Sequence, residues 1–165
     1  MMTGVWLVLG ILAVATVFGL WFQRNNGRVR ESKASPVPMV GPNDPPADIT
    51  ELSPEAIALG EALDGRLGER ATMVQFSSAF CQPCRATRRI LEEVSVMVPG
   101  VSHVEIDAEE HLELVRALDI RRTPTVLFLD RTGAVRKQAS GQPRKADVVA
   151  ALGELLPGGA PDFEI

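Results

Sequence analysis

The sequence predicts an α/β domain, a central mixed sheet with helices on both faces, carried behind an N-terminal transmembrane helix. Three observations lead there. Residues 5–22 are an unbroken apolar run; the chain beyond alternates strand-like and helix-like stretches in the order β-α-β-α-β-β-α; and the only two cysteines stand two residues apart where a strand hands over to a helix.

The apolar run, VWLVLGILAVATVFGLWF, is 18 residues long. A helix of that length covers about 27 Å, close to the roughly 30 Å hydrocarbon core of a bilayer. The first 23 residues carry no charged side chain, and Trp6, Trp21 and Phe22 lie at the ends of the run, where interfacial aromatics belong. A cleaved signal peptide fits less well: no Lys or Arg precedes the run, Trp21-Phe22-Gln23 follows it, and the small residues Ala13-Val14-Ala15 stand too early. A buried helix of a folded domain is disfavoured by the lack of charge on every face.

Residues 24–35 hold Arg24, Arg28, Arg30 and Lys33 against Glu31, whereas the chain from residue 36 onward has 13 basic and 20 acidic residues, net −7. An acidic domain behind a basic collar speaks against nucleic acid and for a membrane neighbour. The chain also lacks tyrosine and has no interleaved basic and aromatic residues on which to stack bases. Basic residues flanking a span tend to stay in the cytoplasm, so the collar places the domain on the cytoplasmic face. The expected organisation is a membrane anchor over 1–23, a basic collar and Pro-rich linker over 24–51, a folded domain over 52–157 and a flexible tail over 158–165. Within the linker, 34–50 has five prolines and no sustained period, an extended spacer that would hold the domain off the bilayer.

Ser53-Pro54-Glu55 then opens a helix with a cap residue, a first-turn proline and an early acid. Ile57, Leu59, Leu63 and Leu67 give it an apolar face, and Gly65 or Gly68 ends it. Residues 72–76 read as a buried strand and 86–97 as a helix with Ile90, Leu91, Val94 and Met97 inward and Arg85, Arg88, Arg89, Glu92 and Glu93 solvated. A second strand over 101–106 leads to a helix over 108–118 with Leu112, Val115 and Leu118 on one side. A third strand over 124–130, a turn at Arg131-Thr132-Gly133 and a fourth strand over 134–140 make a hairpin, and a helix over 144–156 closes the fold with Val148, Val149, Leu152, Leu155 and Leu156 toward the sheet.

The chemistry lies in Phe80-Cys81-Gln82-Pro83-Cys84-Arg85. At the start of a helix the first N–H groups have no partner and the macrodipole adds positive potential, both of which favour a thiolate. Cys81, at the mouth of the helix, is the expected nucleophile, and Cys84, one turn in, the resolving thiol. Attack by Cys81 on a disulfide gives a mixed disulfide that Cys84 then breaks. Lowering a thiol pKa from about 8.5 to about 7 raises its thiolate fraction at neutral pH about 16-fold, but a Brønsted slope near 0.45 takes back about 5-fold in nucleophilicity. Most of the advantage therefore comes from holding two thiols within reach of one another. Zinc needs two further ligands, and His103 and His111 lack the short spacing of a ligand pair. A purely structural disulfide closing so short a loop restricts the unfolded chain very little.

These residues resemble the thioredoxin family over about 52–156. The resemblance rests on an aromatic residue, Cys-x-Pro-Cys and a basic residue at Phe80 to Arg85; on the strand end Glu105-Ile106-Asp107; on Arg122-Thr123-Pro124-Thr125; and on Gly133 and Gly141 around the last hairpin. It implies a thioredoxin-like fold with a cis bond at Thr123-Pro124 beside Cys81, and Phe80, Gln82, Pro83, Thr123 and Pro124 supporting an extended substrate strand. It also implies no cofactor beyond the redox-active Cys81–Cys84 pair. The implied partners are disulfide-bearing proteins and an electron donor such as a thioredoxin reductase or a membrane thiol carrier. Phe80 stands where the family usually has Trp, Gln82 where it has Gly, Gln75 where it has a buried Asp and His103 where it has Lys. Gln75 and His103 are thus the candidates for a proton relay, and no first strand is legible in the Pro-rich spacer. The expected function is a membrane-tethered thiol:disulfide oxidoreductase that reduces protein disulfides. Two rivals are the same chemistry on the outer face, in cytochrome or envelope-protein maturation, and a binding module with weak redox turnover.

Overall fold

The structure, a computed structural model, describes residues 2–25, 29–31 and 54–156. Ser53, the spacer over 34–50 and the tail over 158–165 lie outside the described residues. An N-terminal helix, α1, occupies Met2–Asn25, 24 residues. Among the described residues no helix is long and apolar enough to cross a membrane; the side chains described in α1 are those of 6–7 and 9–21, a shorter stretch than the run expected to span.

The domain follows the order β1 (Val29–Glu31), α2 (Pro54–Leu63), β2 (Ala71–Ser77), α3 (Gln82–Met97), β3 (Val101–Asp107), α4 (Leu112–Ala117), β4 (Thr125–Asp130), β5 (Val135–Ser140) and α5 (Lys145–Leu155). The strands form one mixed sheet in the order β1-β5-β4-β2-β3. β2 and β3 run parallel, joined through α3, and the other pairs are antiparallel. The strand at Val29–Glu31 was not legible in the sequence: it falls inside the basic collar and pairs Val29 with Ala139 of β5.

β2 is buried along its whole length, and its alternation divides the core in two. Ala71 and Met73 join Leu91 and Val94 of α3, Val126 and Phe128 of β4, and Val148 and Leu152 of α5. Val74 and Phe76 join Leu59 and Leu63 of α2, Val104 and Ile106 of β3, and Leu114 of α4. By the same period Gln75 lies on the Ala71–Met73 face, the one α3 covers.

Several inward faces differ from expectation. In α2 the buried residues are Leu59 and Leu63, while Ile57 is 47% and Leu67 42% exposed. The helix stops at Leu63 because Asp64 and Gly65 take positive φ, a left-handed exit that ends the i→i+4 ladder. α4 begins at Leu112, not 108, because Asp107 Oδ1 accepts the Glu109 N–H at 2.8 Å and turns the chain there. It buries Leu114 and leaves Leu112 52% exposed. The β4–β5 turn is likewise held by Asp130, whose Oδ1 accepts the Thr132 N–H at 2.8 Å, with Gly133 at φ +83.

His103 pairs across the sheet with Met73. Burial holds its imidazolium below the ordinary value of 6.5, with Arg88 acting in the same direction and the carboxylates of Glu105 and Glu92 opposing. Its Nε2 is buried with no hydrogen-bond partner.

Two stability outcomes follow. Phe128→Ala, which empties a site with 0% exposure, lowers the urea-derived unfolding free energy by about 3–5 kcal/mol, whereas Val96→Ala, at a position 85% exposed, stays within about 0.5 kcal/mol. For His103, the unfolded chain binds more protons than the native one between the depressed native value and 6.5, so this contribution is whole above 6.5 and is lost as pH falls through the native value. Urea midpoints measured from about pH 7.5 down to about pH 5 should drop further for the wild-type chain than for His103→Gln.

Candidate active site

The chain leaves β2 at Ser77 and turns through Ser78, Ala79 and Phe80, with the Cys81 N–H donating to Ser78 O at 3.2 Å. Cys81 is the cap of α3 in an extended conformation, φ −83 and ψ 99, and its Sγ accepts the Cys84 N–H at 3.2 Å. The motif itself forms the first turn. That is why α3 starts at Gln82 instead of 86: Pro83, at the head of the helix, has a preset φ and no N–H that would be left unpaired. Cys81 and Cys84 are joined by a disulfide with S–S 2.00 Å and Cα–Cα 5.2 Å. Cys81 is partly exposed, and Cys84, 3% exposed, lies beneath the turn.

β4 delivers the second part of the site to the same end of the sheet. Phe76, near the end of β2, pairs with Thr125 at the start of β4, so the preceding residues arrive beside the cysteines. The Thr123–Pro124 bond is cis. Thr123 Oγ1 lies 3.2 Å from Ser78 Oγ in the turn before Cys81, and Pro124 O accepts the Gly141 N–H at 2.8 Å. Phe80 is fully exposed at 100%, and Gln82 and Pro83 are exposed beside it.

Beneath the disulfide, fully buried Gln75 donates from Nε2 to Cys84 O at 3.0 Å and to Glu105 Oε1 at 3.4 Å. Arg88, one turn after Cys84, holds Glu105 from the other side, its Nη2 2.8 Å from Oε1 and 2.6 Å from Oε2. That bond raises the Arg88 guanidinium above its ordinary value. A cavity opens along this flank, lined by Cys81, Cys84, Ser77, Arg88, Glu105 and Asp107, among others.

Cys81 thus sits at the end of the sheet where Thr123 meets the Ser78 turn, with Pro124 buried behind Thr123, Phe80, Gln82 and Pro83 exposed around the cysteines, and Gln75 beneath Cys84. His103 does not line the cavity. Glu105 and Arg88 were missed as site residues, Arg88 because it read as solvated helix face. The signal that finds them is register: β2 and β3 run parallel with Gln75 opposite Glu105, so whatever stands at 105 faces Gln75's side of the sheet. Among the described residues no group of three or more His, Cys, Asp or Glu side chains is placed to hold a metal ion.

Comparison with known proteins agrees with this geometry. The thioredoxin family profile matches residues 61–154. Rice (Oryza sativa subsp. japonica) Thioredoxin H5 is 32% identical over 72 residues, 44% of this chain and 53% of the relative. Rice Thioredoxin H4-1 is 33% identical over 92 residues, 55% of this chain and 67% of the relative. The chain therefore spans about half to two thirds of the length of these relatives. Among solved structures, the thioredoxin of Fasciola hepatica superposes with a TM-score of 0.50 at 21% identity, covering 59% of this chain and 90% of that one, a likeness of fold. Members of this family work through a cysteine pair without a further cofactor, as the Cys81–Cys84 disulfide would here. With more than half of its residues inside the family profile, this chain belongs to the thioredoxin family.

Proposed function

We propose that the protein is a membrane-tethered thiol:disulfide oxidoreductase that reduces protein disulfides on the cytoplasmic face. The observation that carries the chemistry is the cysteine pair: Cys81 partly exposed at the cap of α3, Cys84 buried one turn in, and cis-Pro124 arriving alongside. In the dithiol form the Cys81 thiolate attacks one sulfur of a substrate disulfide; that S–S bond breaks, and the leaving sulfur departs as a thiolate that takes a proton. Cys84 then attacks Cys81 Sγ, the mixed disulfide breaks, and the second substrate sulfur leaves. Two electrons have passed to the substrate, and a dithiol donor, a reductase or a membrane thiol carrier, returns the pair to its reduced state.

The tether is supported by the 18 charge-free apolar residues over 5–22, and by a 24-residue helix on which Trp6, Ile11, Val14, Phe18 and Trp21 are each more than half exposed. The cytoplasmic side is supported by Arg24, Arg28, Arg30 and Lys33 directly after it. One observation favours the binding-module reading: Gln75, beneath Cys84, has no group to take a proton, so a weakly cycling pair with fully exposed Phe80 as a docking contact fits the same site.

In a protein-disulfide reduction assay with the full-length chain, Cys81→Ser abolishes turnover, while Cys84→Ala takes the first step and accumulates mixed disulfides visible on non-reducing gels. A wild-type chain that exchanges with no dithiol or disulfide overturns the redox reading, and one that captures a protein without reducing it establishes the module. Cys84→Ala also leaves Cys81 as the one cysteine of the chain. A membrane-impermeant maleimide should reach it only after cells are opened; labelling on intact cells puts the domain outside and favours envelope-protein maturation.

A further inference from the structure

A thiol must lose its proton before it can attack, and the second step requires this of Cys84, which is 3% exposed and sits at a distance from bulk water. The residue in contact with its backbone, Gln75, is a neutral amide: its Nε2 is committed to Cys84 O and Glu105, and its Oε1 is buried without a partner among the described residues. The acceptor therefore has to come from elsewhere in the cavity that Cys84 lines.

That cavity has several ionisable walls. Arg85 and Arg88 come from α3, Arg66 from the segment after α2, Glu105 and Asp107 from β3, and Glu110 and His111 from the turn before α4. Of the cavity's four proton acceptors, Glu105 is the one bonded to Gln75, the side chain in contact with Cys84. Asp107 Oδ1 accepts the Glu109 N–H at 2.8 Å, His111 Nδ1 lies 3.1 Å from Asp107 O, and Glu110 is exposed. Glu105 is partly shielded, with 24% of its side chain exposed, and is fixed from two sides by Arg88 and Gln75. Gln75 Nε2, 3.0 Å from Cys84 O and 3.4 Å from Glu105 Oε1, holds the carboxylate on the Cys84 side of the cavity that both residues line.

We propose that Glu105 is the proton acceptor for Cys84 in the resolving step, with Arg88 and Gln75 as the residues that position it. This rests on the redox function proposed above. Cys84 Sγ–H gives its proton to the Glu105 carboxylate through the cavity; the electron pair left on sulfur forms the bond to Cys81 Sγ; the bond between Cys81 and the substrate sulfur breaks, and that sulfur leaves as a thiolate. Glu105 then returns the proton to solvent. His103, the histidine expected for this task, has no place in the step because it lies outside the cavity.

The test separates the two steps by rapid mixing of the reduced full-length chain with one equivalent of dithiobis-nitrobenzoate. The first thionitrobenzoate released reports attack by Cys81, the second resolution by Cys84. Glu105→Gln should leave the first phase within about 2-fold of wild type and slow the second at least about 10-fold near pH 6, with the deficit narrowing as pH rises and hydroxide takes over as acceptor. Arg88→Met keeps the carboxylate but removes the group that fixes it from one side, so the second phase should slow by less than in Glu105→Gln. The proposal is overturned if the second phase of Glu105→Gln follows wild type at every pH, or if both variants slow it by one factor at all pH values, as lost packing would. A wild-type chain that releases no thionitrobenzoate at all instead overturns the redox function itself.

Discussion

The first turn of α3 needs a side chain that can take its unpaired N–H groups, and in this chain that side chain is sulfur. Cys81 is placed at the cap by the run of β2 into the turn at Ser78, and its Sγ faces the Cys84 N–H. The same constraint that lets the helix begin also fixes the exposed sulfur, the buried one and the separation between them. An oxygen-bearing cap such as Ser would satisfy the helix equally well; what sulfur adds is that the capping atom also carries the covalent bond to Cys84.

Everything under that turn follows from the central position of β2. A strand buried on both faces and paired on both edges leaves no freedom in where its side chains point. Gln75 is therefore delivered beneath Cys84, and the parallel neighbour β3 delivers Glu105 to the same level. β4, antiparallel on the other edge, brings Thr123 and Pro124 to the top of the sheet. The flank of the disulfide toward β3 is charged and open as a cavity, while on the β4 side Thr123, before the cis-proline, meets Ser78 of the turn. The two sides offer different chemistry to whatever approaches.

Most of the fold was legible in the sequence because its signals are local. The run of β-branched and large apolar residues over 72–76, the apolar stripe of α3 and the Arg131-Thr132-Gly133 turn each carry their own instruction. The two cysteines were legible for the same reason, whereas the cis bond at Thr123-Pro124 followed from the family resemblance. What was not legible depends on partners distant in the chain. β1 is three residues long and has no pattern of its own; it is a strand because β5 offers an edge. Ile57 is apolar yet exposed, since the sheet meets α2 over a narrower stripe than the residue types suggest, and Leu67 lies beyond the end of α2 at Leu63. Glu105 looked like the end of a strand, and only the register with Gln75 reveals where it faces.

The position of β1 limits the length of the proposed tether. Only residues 26–28 separate the end of α1 from the strand that joins the sheet, and four Cα steps at about 3.5 Å reach about 14 Å. The proline-rich stretch follows β1 in the sequence and so does not separate α1 from the sheet. With α1 held in a bilayer, the sheet edge would hug the lipid surface, and the disulfide would meet its partners by a search confined to two dimensions.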